Sequence, residues 1–271
     1  MERVITSKSC KEVGVLGPEE IKLDRNRMKF ILKKRFRHLS GRKRLGLVWI
    51  VLDPIVISLV YLFVFTVLRA STSVQTVFIG ITLFRLTQNS LKTGMNSIQD
   101  FTGGLKAERV RTRVLTGSMI RYRIIDNLLQ SLGVALILYI GYEVSLFGTV
   151  SFLIIAQIIG FLSEGVGMNL APLSKKIPDL INVVNYILMI LFFAAPALYP
   201  LSSTQGIHYK LNELHPFTYF VESARYLMGE QSEILNLDNR IFGFFLVVLV
   251  LLIIRGYSLI DKLRWRMTTW S

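Results

Sequence analysis

The residues able to do chemistry are few and far apart. Two carboxylates lie inside long apolar runs: Asp53 within 45–68 and Glu164 within 150–173. An ionised acid at such depth costs a few kcal/mol unless it meets a partner or water. Glu164 therefore reads as a proton relay or as a hydrogen-bonding group between helices near the cytoplasmic interface. The second reading is preferred, because no string of acids or histidines accompanies it. His38, His208 and His215 show no metal-ligand spacing, and no HExxH or CxxC occurs. The lone Cys10 excludes an intrachain disulfide. No GxxxxGK[ST] loop is present to cradle nucleotide phosphates, and paired carboxylates suited to glycosyl transfer are missing.

These residues must be positioned by a membrane bundle. The chain has 271 residues, 52% hydrophobic, with several apolar runs too long for a soluble domain of this size. The first run, 45–68, carries one charge and would rise about 36 Å as a helix, enough to cross a ~30 Å hydrocarbon core. Arg42-Lys43-Arg44 precedes it as a cytoplasmic clamp, and Trp49 falls at headgroup depth. Pro54 follows Asp53 and frees a carbonyl one turn back. Residues 1–44 are polar and basic with no apolar core near Met1, so the first span is expected to act as its own insertion signal.

Further spans are expected at about 74–91, 125–142, 150–173, 181–198 and 241–260. Arg85 sits about 16 Å into the second span, nearly the depth of Asp53 counted from the other side. Either the two form a buried ion pair between spans one and two, or Arg85 snorkels alone to the cytoplasmic headgroups. Gly17-Pro18-Glu19-Glu20 opens a helix to about Leu39, with apolar Ile21, Met28, Ile31, Leu32, Phe36 and Leu39 amid many basic residues. It suits a helix lying in the cytoplasmic headgroup layer, or a solvated basic face. Residues 92–123 form a polar, basic connector broken by Gly103-Gly104, with a short helix at Leu105–Val114. Pro216 opens a helix within 201–240 that lies in the outer headgroup layer or dips into the membrane and returns.

The net charge of +14 follows the same layout. With the N-terminus inside, the inner segments 1–44, 92–123, 174–180 and 255–271 hold 27 of the 32 Lys and Arg, and the outer segments hold four. That asymmetry favours six spans with both termini cytoplasmic. The basic excess is topology and headgroup attraction, and nucleic acid is not needed to explain it. Three parts result: a cytoplasmic segment 1–44 with an amphipathic helix, a six-span domain 45–260, and a basic tail 261–271.

Four motifs carry a family likeness. Arg44-Leu45-Gly46-Leu47-Val48-Trp49-Ile50-Val51-Leu52-Asp53-Pro54 resembles the start of the first span in capsular polysaccharide export permeases of the ABC-2 group. O-antigen and teichoic acid exporters are relatives in that group. Pro196–Ser202 is similar to that group's end of span five, Ile177-Pro178-Asp179 to its cytoplasmic turn, and His215–Glu222 to its helix before span six. His215 replaces the group's usual Asn, and Gly41-Arg42-Lys43-Arg44 replaces its aromatic-plus-Ser pattern.

The resemblance implies an all-α, six-span permease of the plasma membrane. It would have an N-terminal interface helix and re-entrant or interfacial helices between spans five and six. It implies a homodimer with two copies of a separate ABC ATPase, exporting a lipid-linked polysaccharide of capsule, O-antigen or teichoic acid type. No cofactor is expected on this chain; ATP and Mg would sit on the partner. Lys106, Arg109, Arg111, Lys175, Lys176 and Pro178 would couple to the ATPase, and Arg35, Arg37, Arg42 and Trp49 would belong to the gate helix and its surroundings. Pro216, Tyr219 and Glu222 would close the outer end. Spans one and five would line the channel. A pyranose stacks its C–H face on aromatic rings, which makes Tyr61, Phe63, Phe65, Phe192, Phe193 and Tyr199 the channel candidates beside an interfacial-belt role. The alternatives are a drug or lipid efflux permease of the same fold, and a membrane enzyme of lipid-linked sugar metabolism using Glu164, Asp53 or Glu143.

Overall fold

The computed structural model describes residues 3–6, 9–12, 17–40, 46–67, 72–98 and 111–266. A small antiparallel hairpin comes first, Arg3–Thr6 (β1) paired with Ser9–Glu12 (β2), an addition to the expected all-helical chain. Nine α-helices follow among the described residues: α1 Pro18–Ser40, α2 Val48–Val67, α3 Val74–Asn96, α4 Thr112–Gly141, α5 Leu146–Lys176, α6 Leu180–Ala194, α7 Gly206–Glu213, α8 Pro216–Leu227 and α9 Asn239–Arg266.

Local chemistry sets most of the ends. Pro18 occupies the first helical position of α1, and the Gly17 carbonyl accepts from the amides of Glu20 and Ile21. Ser73 and Ser145 cap α3 and α5 by accepting from the amides of Thr76 and Gly148, each at 3.0 Å. Glu143 takes a positive φ of 52° where α4 stops, so this acid serves the turn between α4 and α5. Within α2, the Ser58 hydroxyl donates to the Pro54 carbonyl at 2.7 Å.

Four helices are long and apolar enough to span a membrane: α2, α4 from Arg113, α5, and α9 as far as Ile260. The two other expected spans differ for separate reasons. α3 has the length, but its second half is polar, and its first half is encased by its neighbours. α6 is apolar but has 15 residues, about 22 Å of rise, and then gives way to an irregular Ala195–Pro200 stretch. The connector also ends sooner than expected. α4 begins at Thr112, so Arg113, Arg121 and Arg123 belong to one continuous helix.

The core gathers around α3, with Val77, Ile81 and Phe84 meeting Val134 and Leu138 of α4, Phe152 and Ile159 of α5, and Phe217 and Val221 of α8. The helix opened by Pro216 is thus a core element. Tyr219 stacks on Phe242 of α9 at 5.0 Å, and its hydroxyl donates to the Glu213 carbonyl at 2.9 Å. α2, α6 and α9 form the rim and leave Phe63, Ile190 and Phe244 well exposed. Such apolar rims suit lipid or another protein surface.

Candidate functional site

One half of the bundle is built on polar residues that an apolar helix tolerates only when they are paired. Arg85 Nη2 of α3 donates to Asp53 Oδ2 of α2 at 2.6 Å. Of the two options the structure shows the pairing, but half open rather than buried, with the side chains 30% and 42% exposed.

A second cluster lies deeper. Arg123, wholly buried, donates through Nε to Glu164 at 3.1 Å, and through Nη1 to Asp126 at 3.2 Å and to Ser90 at 2.9 Å. Gln130 donates to Asp126 and accepts from Asn89, each at 2.9 Å. A continuous chain of contacts therefore runs Asn89–Gln130–Asp126–Arg123–Glu164 and ties α3, α4 and α5 together. Glu164 is an interhelical partner, and Asp126 is a deep acid that went unnoticed. Arg123 was expected in the cytoplasmic connector. The spacing of Arg123, Asp126 and Gln130, at i, i+3 and i+7 on the edge of an apolar run, was the available signal.

α1 rides on the start of α4. Arg111 reaches Asp24 at 3.2 Å and Glu20 at 3.3 Å, Met28 and Ile31 pack on Val114 and Leu115, and the Arg35 guanidinium sits 4.5 Å over the Tyr122 ring. Phe36 lies 5.2 Å from the same ring. Arg111 thus engages α1 and Arg35 serves the same contact, while Arg37 projects outward. Replacing Arg111 with alanine removes two partly exposed ion pairs, each worth about 1 kcal/mol or less. The expected outcome is a several-fold faster tryptic cut within α1 with the rest of the bundle intact, read by limited proteolysis.

The channel candidates divide by face. Tyr61 is half-buried, 5.2 Å from Phe192. Phe192 is buried and stands 5.0 Å from Phe84, which in turn meets Phe217 at 5.2 Å. Phe192 is therefore packing rather than wall, a distinction that apolar composition alone cannot draw. Phe63 and Phe193 are 71% and 52% exposed, and Phe65 packs partly on the core. Tyr199 donates to the Ala194 carbonyl at 2.6 Å and contacts His208 at 3.0 Å, closing the end of α6. Lys176, Ile177, Pro178 and Asp179 are exposed beyond α5, with Lys175 half-buried, and Trp49 is exposed on α2. Lys106, Arg109 and Arg42 lie outside the described residues.

At the opposite end Glu222 and Arg225, both fully buried on α8, pair at 2.8 Å. Glu222 also accepts from Ser232 and from the Glu233 amide, each at 2.9 Å, and Arg225 donates to the Thr76 carbonyl at 3.2 Å. Glu222 is thus a structural knot between α8, α3 and the α8–α9 loop. Burial pushes the His215 imidazole below its ordinary range, so the ring is neutral at the start of α8. Among the described residues no group of three or more His, Cys, Asp or Glu is placed to hold a metal ion.

Comparison with known proteins adds two findings. Residues 26–228 match the sequence model of the family described as ABC-2 type transporter. Over 176 residues the chain is 29% identical to the O-antigen export system permease protein RfbA of Myxococcus xanthus, a match covering 62% of this chain and 67% of that protein.

Proposed function

This chain belongs to the ABC-2 type transporter family, and from that premise we propose that it is the permease subunit of an ATP-driven exporter of a lipid-linked polysaccharide. As a multi-pass membrane transport subunit it is not itself an enzyme. In this reading α2–α6 and α9 provide six spans with both termini cytoplasmic, in the plasma membrane. Two copies pair, and each engages one copy of a separate ATPase that supplies ATP and Mg. The exposed Lys176–Asp179 turn is one docking point for it.

The observation that carries the substrate class is the similarity to an O-antigen export permease across most of the bundle. The half-open aromatic edge of α2 and α6, where Tyr61 and Phe193 each contact the Phe192 ring, supports it with surfaces on which a sugar ring slides through weak stacking. Two experiments test the reading. A deletion strain is expected to lose its surface polysaccharide and to accumulate lipid-linked glycan inside. The double variant Tyr61→Ala, Phe193→Ala is expected to cut export at least several-fold while an ATPase still co-purifies. Normal surface glycan in the deletion strain would favour a drug or lipid efflux permease of the same fold.

A further inference from the structure

The inner half of α3 presents a face that neither lipid nor core explains. From Thr76 to Phe84 the helix is buried all round. From Arg85 to Asn96 the buried side is Leu86, Ser90, Gly94 and Met95, and of the half-exposed residues opposite only Leu91 is apolar. A face turned to acyl chains would show the reverse composition, because each unpaired polar group there is costly. Arg85 and Lys92 are seven residues apart, two turns less about 20°, so they share a face with about 10 Å of rise between them. They lie within electrostatic reach of each other. Gln88 and Asn89 carry amides between them.

Three features mark a built site rather than a stray polar patch. Lys92 makes no ion pair or hydrogen bond with any described residue. Arg85 Nε is buried with no acceptor, so Asp53 does not satisfy the guanidinium in full. Asn89 is held by Gln130, which donates to Asp126, itself held by Arg123, a supporting shell that fixes the amide in place. Two cations and two amides form a donor set for phosphate oxygens, with charge-assisted bonds as the strong members. Asp53 already occupies the anion position on Arg85.

We propose that this face of α3 binds the diphosphate group of a lipid-borne substrate, with Asp53 as a built-in counter-ion that the ligand displaces from Arg85. The proposal rests on the exporter reading and names the chemistry by which the substrate's lipid end is held. Lys92, at the inner end of α3, meets the headgroup first. Exchanging Asp53 for the ligand keeps an anion on Arg85 throughout, so the cation is never stranded, and the displaced Asp53, 42% exposed, turns to water.

The test uses the full chain in phosphatidylethanolamine nanodiscs, read by native mass spectrometry, with three probes: farnesyl diphosphate, phosphatidylglycerol and inorganic diphosphate. The expected result is retention of farnesyl diphosphate over the other two. Arg85→Gln and Lys92→Gln should each weaken it roughly tenfold, the scale of one charge-assisted bond. Asp53→Asn should tighten it several-fold by removing the competitor. A merely structural bridge gives the opposite sign, so weaker binding in Asp53→Asn overturns the proposal. Equal retention of phosphatidylglycerol or of inorganic diphosphate does so too, as does unchanged binding in Lys92→Gln, a variant with no hydrogen bond or ion pair to a described residue to lose. An efficient disulfide between two Gln88→Cys chains would assign the face to a protomer interface and equally overturn it. Export in the deletion strain is scored separately, so loss of this site leaves the exporter reading standing.

Discussion

A Gly167→Ala chain is expected to lose about 3 kcal/mol of stability, the upper end of what overpacking costs. A methyl group there would land on the Leu91 carbonyl oxygen and 3.0 Å from the Gly94 Cα. Gly94 faces back in the same way: its added carbon would meet the Glu164 carbonyl and the Met168 amide nitrogen. α3 and α5 therefore touch backbone to backbone, with no side chain that can rotate aside. Small residues are how helices in lipid gain close packing when no hydrophobic drive separates them from solvent. Moving α5 away would also stretch the bond from the Ser174 hydroxyl to the Met95 carbonyl, now 2.9 Å. Thermal unfolding in detergent checks the effect, and Gly243→Ala is the control. Nothing lies within 4 Å of an added carbon there, so a helical alanine is expected to be neutral or slightly stabilising.

Arg123→Ala should be at least as damaging, at about 3–5 kcal/mol, because it strands two buried carboxylates. Glu164 and Asp126 both depend on that guanidinium, and both are almost without solvent. Glu164→Ala should cost less, since Arg123 keeps Asp126 and Ser90. The diagnostic case is the double variant Arg123→Met, Glu164→Met. Removing both charges of a buried pair in favour of apolar groups is often neutral or better, so the share of the loss that comes from Glu164 should return, while Asp126 keeps only its bond from Gln130. Folded yield and melting temperature report the recovery. A double variant no better than Arg123→Ala would mean that the cluster contributes more than charge compensation.

Much of the bundle was legible along the chain. The Pro18 and Pro216 helix starts, the first span with its proline, and the long apolar runs of α4, α5 and α9 all follow from local composition and period. The pairing of Asp53 with Arg85 was legible as one of two options, because depth can be counted from each end of a helix. Its half-open setting was not, since rotation about the helix axis decides exposure and no count along one strand of sequence contains it. The boundary of α4 was misjudged for a related reason. Arg121 and Arg123 look like a cytoplasmic connector until Glu164 and Asp126 are seen to neutralise one of them.

Chain order, then, is enough to make this a multi-pass helical membrane protein whose Lys and Arg gather in alternate connecting segments, since hydropathy and charge are sums over neighbouring residues. What needed the packed molecule were the pairings: Arg123 with an acid 41 positions away, α3 buried against α5 through two glycines, α8 folded into the core, and a polar face of α3 left open. Each depends on which sides of separate helices are brought together. That choice is made by the free energy of the whole assembly, where a buried charge must find its partner wherever in the chain it lies.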